Sequence, residues 1–83
     1  MGDVIVTYRI MPEDPKELEN IRKELEKLKP QKLEEEPIAF GLSAFKFIKI
    51  IPDAEGEIDK LEKELKGIKG VQDIENIGVT RSL

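Results

Sequence analysis

A chain of 83 residues, 39% hydrophobic and 39% charged, can build one small core and has no length for a second, so a single domain over residues 1–83 is expected. The absence of cysteine and histidine removes disulfides, thiolate nucleophiles, zinc fingers and imidazole acid–base chemistry. A formal net charge of −4 argues against duplex nucleic acid as a general partner, and without a signal peptide or an apolar run near the roughly 20 residues of a membrane span the expectation is a cytoplasmic protein.

The first element is Val4-Ile5-Val6-Thr7-Tyr8-Arg9-Ile10-Met11, rich in β-branched residues and closed by Pro12. Val4, Val6, Tyr8 and Ile10 form a wholly apolar alternate set, while the other set holds Thr7 and Arg9. That pattern predicts a strand with one buried face. Asp14-Pro15-Lys16-Glu17 is a helix start. The aspartate caps a free N–H, the proline suits the first helical position, and the glutamate can bond back to the cap residue. Leu18, Ile21, Leu25 and Leu28 follow at spacings of three, four and three, a single apolar stripe. Glu19 precedes Lys23 by four residues as a surface pair. Lys29 suits the negative helix end, and Pro30 stops the helix.

Residues Gln31 to Ala39 carry Glu34-Glu35-Glu36 before Pro37. A central strand tolerates neither that charge run nor the missing N–H, whereas a short edge strand tolerates both. Phe40-Gly41-Leu42-Ser43 is the predicted turn, with Gly41 free to adopt backbone angles other residues resist. Ala44 to Ile51 is a second strong strand closed by Pro52. Its near-continuous apolar character marks a central strand, but its two faces do not separate cleanly.

The second helix starts near Asp53 to Glu57, stops at Gly67 to Gly70, and carries Ile58, Leu61, Leu65 and Ile68 at the same three-four-three spacing. Asp59 with Lys63 and Glu62 with Lys66 are its predicted surface pairs, and Gly70 its C-terminal cap. Val71 to Leu83 reads as a last strand whose alternation slips between Ile74 and Ile77, predicting a bulge near Asn76 or Gly78. The order is strand, helix, strand, strand, helix, strand. Two right-handed crossovers place both helices on one sheet face. The α+β product is a ferredoxin-like plait, βαββαβ, with a four-stranded antiparallel sheet and the first and third strands at its centre.

Activated groups for catalysis are scarce. The carboxylates fall on helix faces or in the acidic loop, and Ser43 and Ser82 have no histidine partner. Asp53 to Asp59 lacks the ligand spacing of a calcium loop and reads as an acidic helix start. Gly67-Ile68-Lys69-Gly70 has the form of a GXXG clamp but stands where a helix ends. A non-enzyme without cofactor or metal is expected. Because the plait is also an RNA-binding fold, Phe45 and Phe47 with Lys46 and Lys49 nearby are candidate base-stacking residues, although alternating Phe in a strand is more often core.

The segment Pro37-Ile38-Ala39-Phe40-Gly41-Leu42-Ser43-Ala44-Phe45-Lys46 resembles the corresponding stretch of the archaeal translation elongation factor 1-beta family, the nucleotide exchange factors of elongation factor 1-alpha. Gly2-Asp3-Val4, Met11-Pro12-Glu13-Asp14 and Ile51-Pro52-Asp53-Ala54-Glu55-Gly56 are further landmarks in the family's order and spacing, so the resemblance covers essentially the whole chain. It implies a factor that promotes GDP release from that translational GTPase, allowing GTP to rebind during peptide chain elongation. By the resemblance, Phe40 corresponds to the aromatic side chain that enters a pocket of the GTPase, presented with Gly41 and Leu42. Arg81-Ser82-Leu83 correspond to the segment that approaches the nucleotide's magnesium site. Relatives carry a basic residue immediately before a terminal Leu or Ile; here that position is Ser82, and the nearest cation is Arg81. The basic residue that many members have at the position of Ser43 is also absent. The resemblance calls for neither a membrane nor direct nucleic-acid contact. The rival readings are an RNA-binding plait and a small regulatory plait that binds a metabolite between subunits, as ACT-type domains do.

Overall fold

The computed structural model describes residues 2–39 and 41–81. Strand β1 (Asp3–Pro12) buries Val4, Val6, Tyr8 and Ile10 and leaves the alternate set half-exposed, as the pattern predicts. A single 3-10 turn, Pro15–Glu17, leads into helix α1 (Leu18–Lys27). The Asp14 carboxylate accepts from the Lys16 N–H at 2.8 Å, so the cap holds the 3-10 turn that precedes the helix. Strands β2 (Lys32–Ala39) and β3 (Leu42–Pro52), helix α2 (Glu57–Lys66) and strand β4 (Val71–Arg81) follow.

The sheet order is β2-β3-β1-β4, and every neighbouring pair is antiparallel. Ile21 and Leu25 of α1 and Leu61 and Leu65 of α2 join Val4, Val6, Tyr8, Ile10, Phe45, Phe47 and Ile51 in one core. Each such side chain contributes about 1.5–3 kcal/mol by leaving water. Both helices therefore cover one face of the sheet. The fold is the ferredoxin-like plait, with β1 and β3 central and the acidic β2 on an edge. The slip expected in β4 is present, since Thr7 pairs Gly78 while Tyr8 pairs Asn76, leaving Ile77 as the extra residue.

Four details differ from the sequence expectation. Helix α1 closes at Lys27, and Lys29 leaves it in the left-handed region at φ 54°. The cation that bonds a carbonyl at its negative end is Lys49 of β3, whose Nζ donates to the Leu28 carbonyl at 2.6 Å. The cap of α2 is Gly67 rather than Gly70. Gly70 instead sits at φ +95° beside Glu17, where an added Cβ would lie 2.6 Å from the carboxylate. Its carbonyl accepts from the Glu13 N–H at 2.8 Å, so this glycine joins two turns. The pairs Glu19–Lys23, Asp59–Lys63 and Glu62–Lys66 are not formed among the described residues: α1 has Lys27 with Glu24 at 3.3 Å, and Glu62 turns inward. The turn after β2 is also tighter, because Leu42 and Ser43 already belong to β3.

Glu62 accepts from the hydroxyl of the fully buried Tyr8 at 2.8 Å. Burial, and then the hydrogen bond to Glu62, push this phenol up from 10.0 to about 12. Folding favours its neutral form, so its contribution is complete below pH 10 and is lost as pH rises toward 12. By pH 11 the loss is about 1 kcal/mol. In urea titrations of wild type and Tyr8→Phe, the stability gap should therefore narrow by about 1 kcal/mol between pH 8 and pH 11. A constant gap would show that the phenol titrates normally.

Candidate functional site

The β2–β3 hairpin is built by the ladder that pairs Pro37 with Ser43 and Ala39 with Leu42. The register shift between Pro37 and Ala39 makes Ile38 a bulge, and its side chain is 47% exposed. Gly41 closes the turn at φ +77°, with nothing within 4 Å of where a Cβ would stand. Its requirement is conformational rather than steric, because L side chains rarely adopt that angle. Leu42 is half-exposed at the start of β3. Phe40, Ser82 and Leu83 lie outside the described residues.

Arg81 ends β4 opposite Val4, which in turn pairs with Ile51 near the end of β3. Its guanidinium is 81% exposed and lies 3.5 Å from Asp53 Oδ2 in the loop after β3. Asp53 is itself tied down by its N–H, which donates to the Gly2 carbonyl at 3.0 Å. The hairpin and Arg81 therefore occupy opposite ends of the sheet. Leu42 and Ile51 are nine positions apart along β3, roughly 30 Å of extended chain. That separation is most of the 42 Å long axis of the molecule.

Phe45 and Phe47 lie on the helix-covered face, at 1% and 0% exposure. Tyr8 is on the same face and equally buried. Among the described residues no aromatic ring is presented on the open face, so stacking of bases on Phe45 and Phe47 is overturned. Lys49 is engaged at the end of α1. A groove of about 540 Å³ lies between the helices, lined by Leu28 and Ile68 together with Glu24, Lys27, Lys63, Glu64 and Lys69. Among the described residues no cluster of three or more potential metal ligands occurs, and no helix is long and apolar enough to cross a membrane.

Residues 5–81 match the family described as the EF-1 guanine nucleotide exchange domain. The chain belongs to that family. It is 44% identical to elongation factor 1-beta of Methanothermobacter thermautotrophicus, with 98% of each chain covered. The protein of the same name from Methanoregula boonei is 45% identical over 96% of this chain and 98% of its own. That of Sulfolobus acidocaldarius is 40% identical over 95% and 96%. Within this exchange-domain family member, two features of the site escaped the sequence reading. Asp53 reads in the sequence as part of a helix start and of a family landmark, and nothing local to it points to Arg81, 28 positions away. The other is the outward row through Arg9 and Lys46, which appears only once β3 has been assigned its faces.

Proposed function

We propose that this chain is the guanine-nucleotide exchange factor of the translational GTPase elongation factor 1-alpha, promoting GDP release so that GTP rebinds during peptide chain elongation. The observation that carries the reading is the match of residues 5–81 to the exchange-domain family. The chemistry asked of the chain is binding alone, which suits a protein with no histidine or cysteine. An exchange factor holds the nucleotide-free GTPase more tightly than the GDP-bound form. By linkage, GDP weakens the factor's binding by the same ratio that the factor weakens GDP. Residues 1–83 act as one exchange-factor domain in this reading.

The contacts assigned to the partner are Phe40, Gly41, Leu42, Arg81, Ser82 and Leu83. Of these, Leu42 and Arg81 stand roughly 30 Å apart along the sheet, so one short patch of the GTPase does not reach both. The partner is engaged along the length of the sheet. Calorimetric titration tests the linkage: the chain should bind nucleotide-free elongation factor 1-alpha at least tenfold more tightly than the GDP-saturated form. Equal affinities would contradict the reading, because a ligand indifferent to two states shifts neither.

Removing Arg81-Ser82-Leu83 should slow exchange far more than it lowers the melting temperature, since the last strand residues fray cheaply. Arg81→Ala should have the smaller effect, because the guanidinium is mostly solvated beside Asp53 and exposed ion pairs are worth about 0–1 kcal/mol. Full exchange activity after the truncation would remove this end of the chain from the interface.

A further inference from the structure

The plait leaves one face of its sheet without helices. Outward-facing residues form a row across all four strands, Glu34 opposite Lys46, Lys46 opposite Arg9, and Arg9 opposite Glu75. The charges read minus, plus, plus, minus over roughly 14 Å. Arg9 Nη1 reaches Glu75 at 3.2 Å. The Glu34 carboxylate lies 3.7 Å from Lys32, and Lys46 forms no ion pair among the described residues. Two cations thus face each other across the central strands of a chain of net charge −4. Like charges directly opposite destabilise a sheet, and the isolated domain gains nothing visible from them. On either side the row is flanked by partly exposed apolar positions, Met11 toward the hairpin and Ile5, Ile48 and Ile50 toward Arg81. Ile50 is 39% exposed.

We propose that this open face, centred on Arg9 and Lys46, packs against the GTPase and receives a pair of its carboxylates flanked by basic residues. The inference rests on the exchange-factor reading, which already requires a partner that spans both ends of the sheet. The open face runs between those ends without a helix over it, whereas the opposite face is covered by α1 and α2. A second copy of the chain is the wrong occupant. The row is palindromic, so a two-fold axis along the strands sets Glu34 on Glu75 and Lys46 on Arg9, and one across the strands sets each residue on itself. Nucleic acid is disfavoured as well, because a polyanion would meet Glu34 and Glu75 on either side of the two cations.

The test compares Lys46→Glu with Lys60→Glu, the same charge change on the exposed side of α2, in release of a fluorescent GDP from elongation factor 1-alpha. Lys46→Glu should raise the concentration needed for half-maximal stimulation about tenfold and flatten its salt dependence. Lys60→Glu should shift it less than about twofold, and both should melt within a few degrees of wild type. Lys46→Gln, which places no new charge beside Glu34, should shift it about threefold in the same direction. Equal shifts for Lys46→Glu and Lys60→Glu, or none, would overturn the assignment of this face while leaving the exchange reading intact. Transfer RNA binding, or a dimer in sedimentation, that Lys46→Glu abolishes would reassign the face to that occupant. Wild-type protein without any stimulation brings down the exchange reading and this proposal with it.

Discussion

Leu25→Asp is expected to leave the chain unfolded at 25 °C, and Leu61→Asp to do the same. Leu25 is 0% exposed and Leu61 4%, each on the stripe that seats its helix on the sheet. Truncation of a buried leucine to alanine alone costs about 2–5 kcal/mol. A carboxylate placed there adds the cost of burying an unpaired polar or charged group, several kcal/mol more. A domain of this size holds only about 4–12 kcal/mol in total. The loss of the helical circular dichroism signal checks the prediction; a cooperative melt near the wild-type temperature would overturn the stripe assignment. Glu34→Gln, on the exposed edge strand, should leave the melt within about 0.5 kcal/mol of wild type.

Phe40→Ala is expected to have the largest effect on exchange of any single substitution at the hairpin. The residue stands between Ala39, which pairs with Leu42, and Gly41, whose φ of +77° closes the turn. An aromatic side chain has few rotamers to freeze on binding, which suits an interface anchor. Loss of such an anchor costs about 2 kcal/mol of binding, near thirtyfold in affinity. A core phenylalanine would instead cost about 3–5 kcal/mol of stability. Stimulated GDP release and the melting curve, measured on one preparation, separate the two roles. A mutant that melts early and loses activity only in step with its unfolded fraction would make Phe40 a core residue. A folded mutant with wild-type stimulation would end its role as an anchor.

The architecture was legible because the two helix stripes and the first strand each state their period without ambiguity. Ile21, Leu25, Leu61 and Leu65 are buried where the three-four-three spacing puts them. In β1 the inward set is purely apolar and the outward set carries Thr7 and Arg9, so one face was named correctly from the residues alone. Strand β3 resisted the same treatment for a physical reason. Lys49 shares the inward face with Phe45, Phe47 and Ile51 because its ammonium is needed at the carbonyl end of α1. Meanwhile Ala44, Ile48 and Ile50 make the outward face nearly as apolar as the inward one. A cation turned in and aliphatics turned out erase the alternation.

The helix pairings failed for a related reason. Glu62 and Lys66 have the spacing of a surface pair, but Glu62 has a buried phenol to satisfy, and a buried hydroxyl without a partner costs more than an exposed ion pair returns. Gly70 reads as a helix cap because it is a glycine at the helix stop; its φ of +95° is indeed positive, but the turn that uses it lies beyond the helix. The two ends of the candidate interface could be named residue by residue from the family resemblance. Their separation could not, since it depends on the strand order β2-β3-β1-β4 and the long-range register of β4 against β1.

The central claim is that this chain speeds nucleotide exchange on elongation factor 1-alpha, and one measurement reaches it directly. The GTPase is loaded with a fluorescent GDP, mixed with excess unlabelled GDP, and followed with and without the chain. At catalytic amounts of the chain, the release rate should rise at least tenfold, saturate with chain concentration, and fall back when Phe40→Ala replaces wild type. Release at the intrinsic rate, from a GTPase shown to respond to another exchange factor and with the chain folded by circular dichroism, would contradict the account.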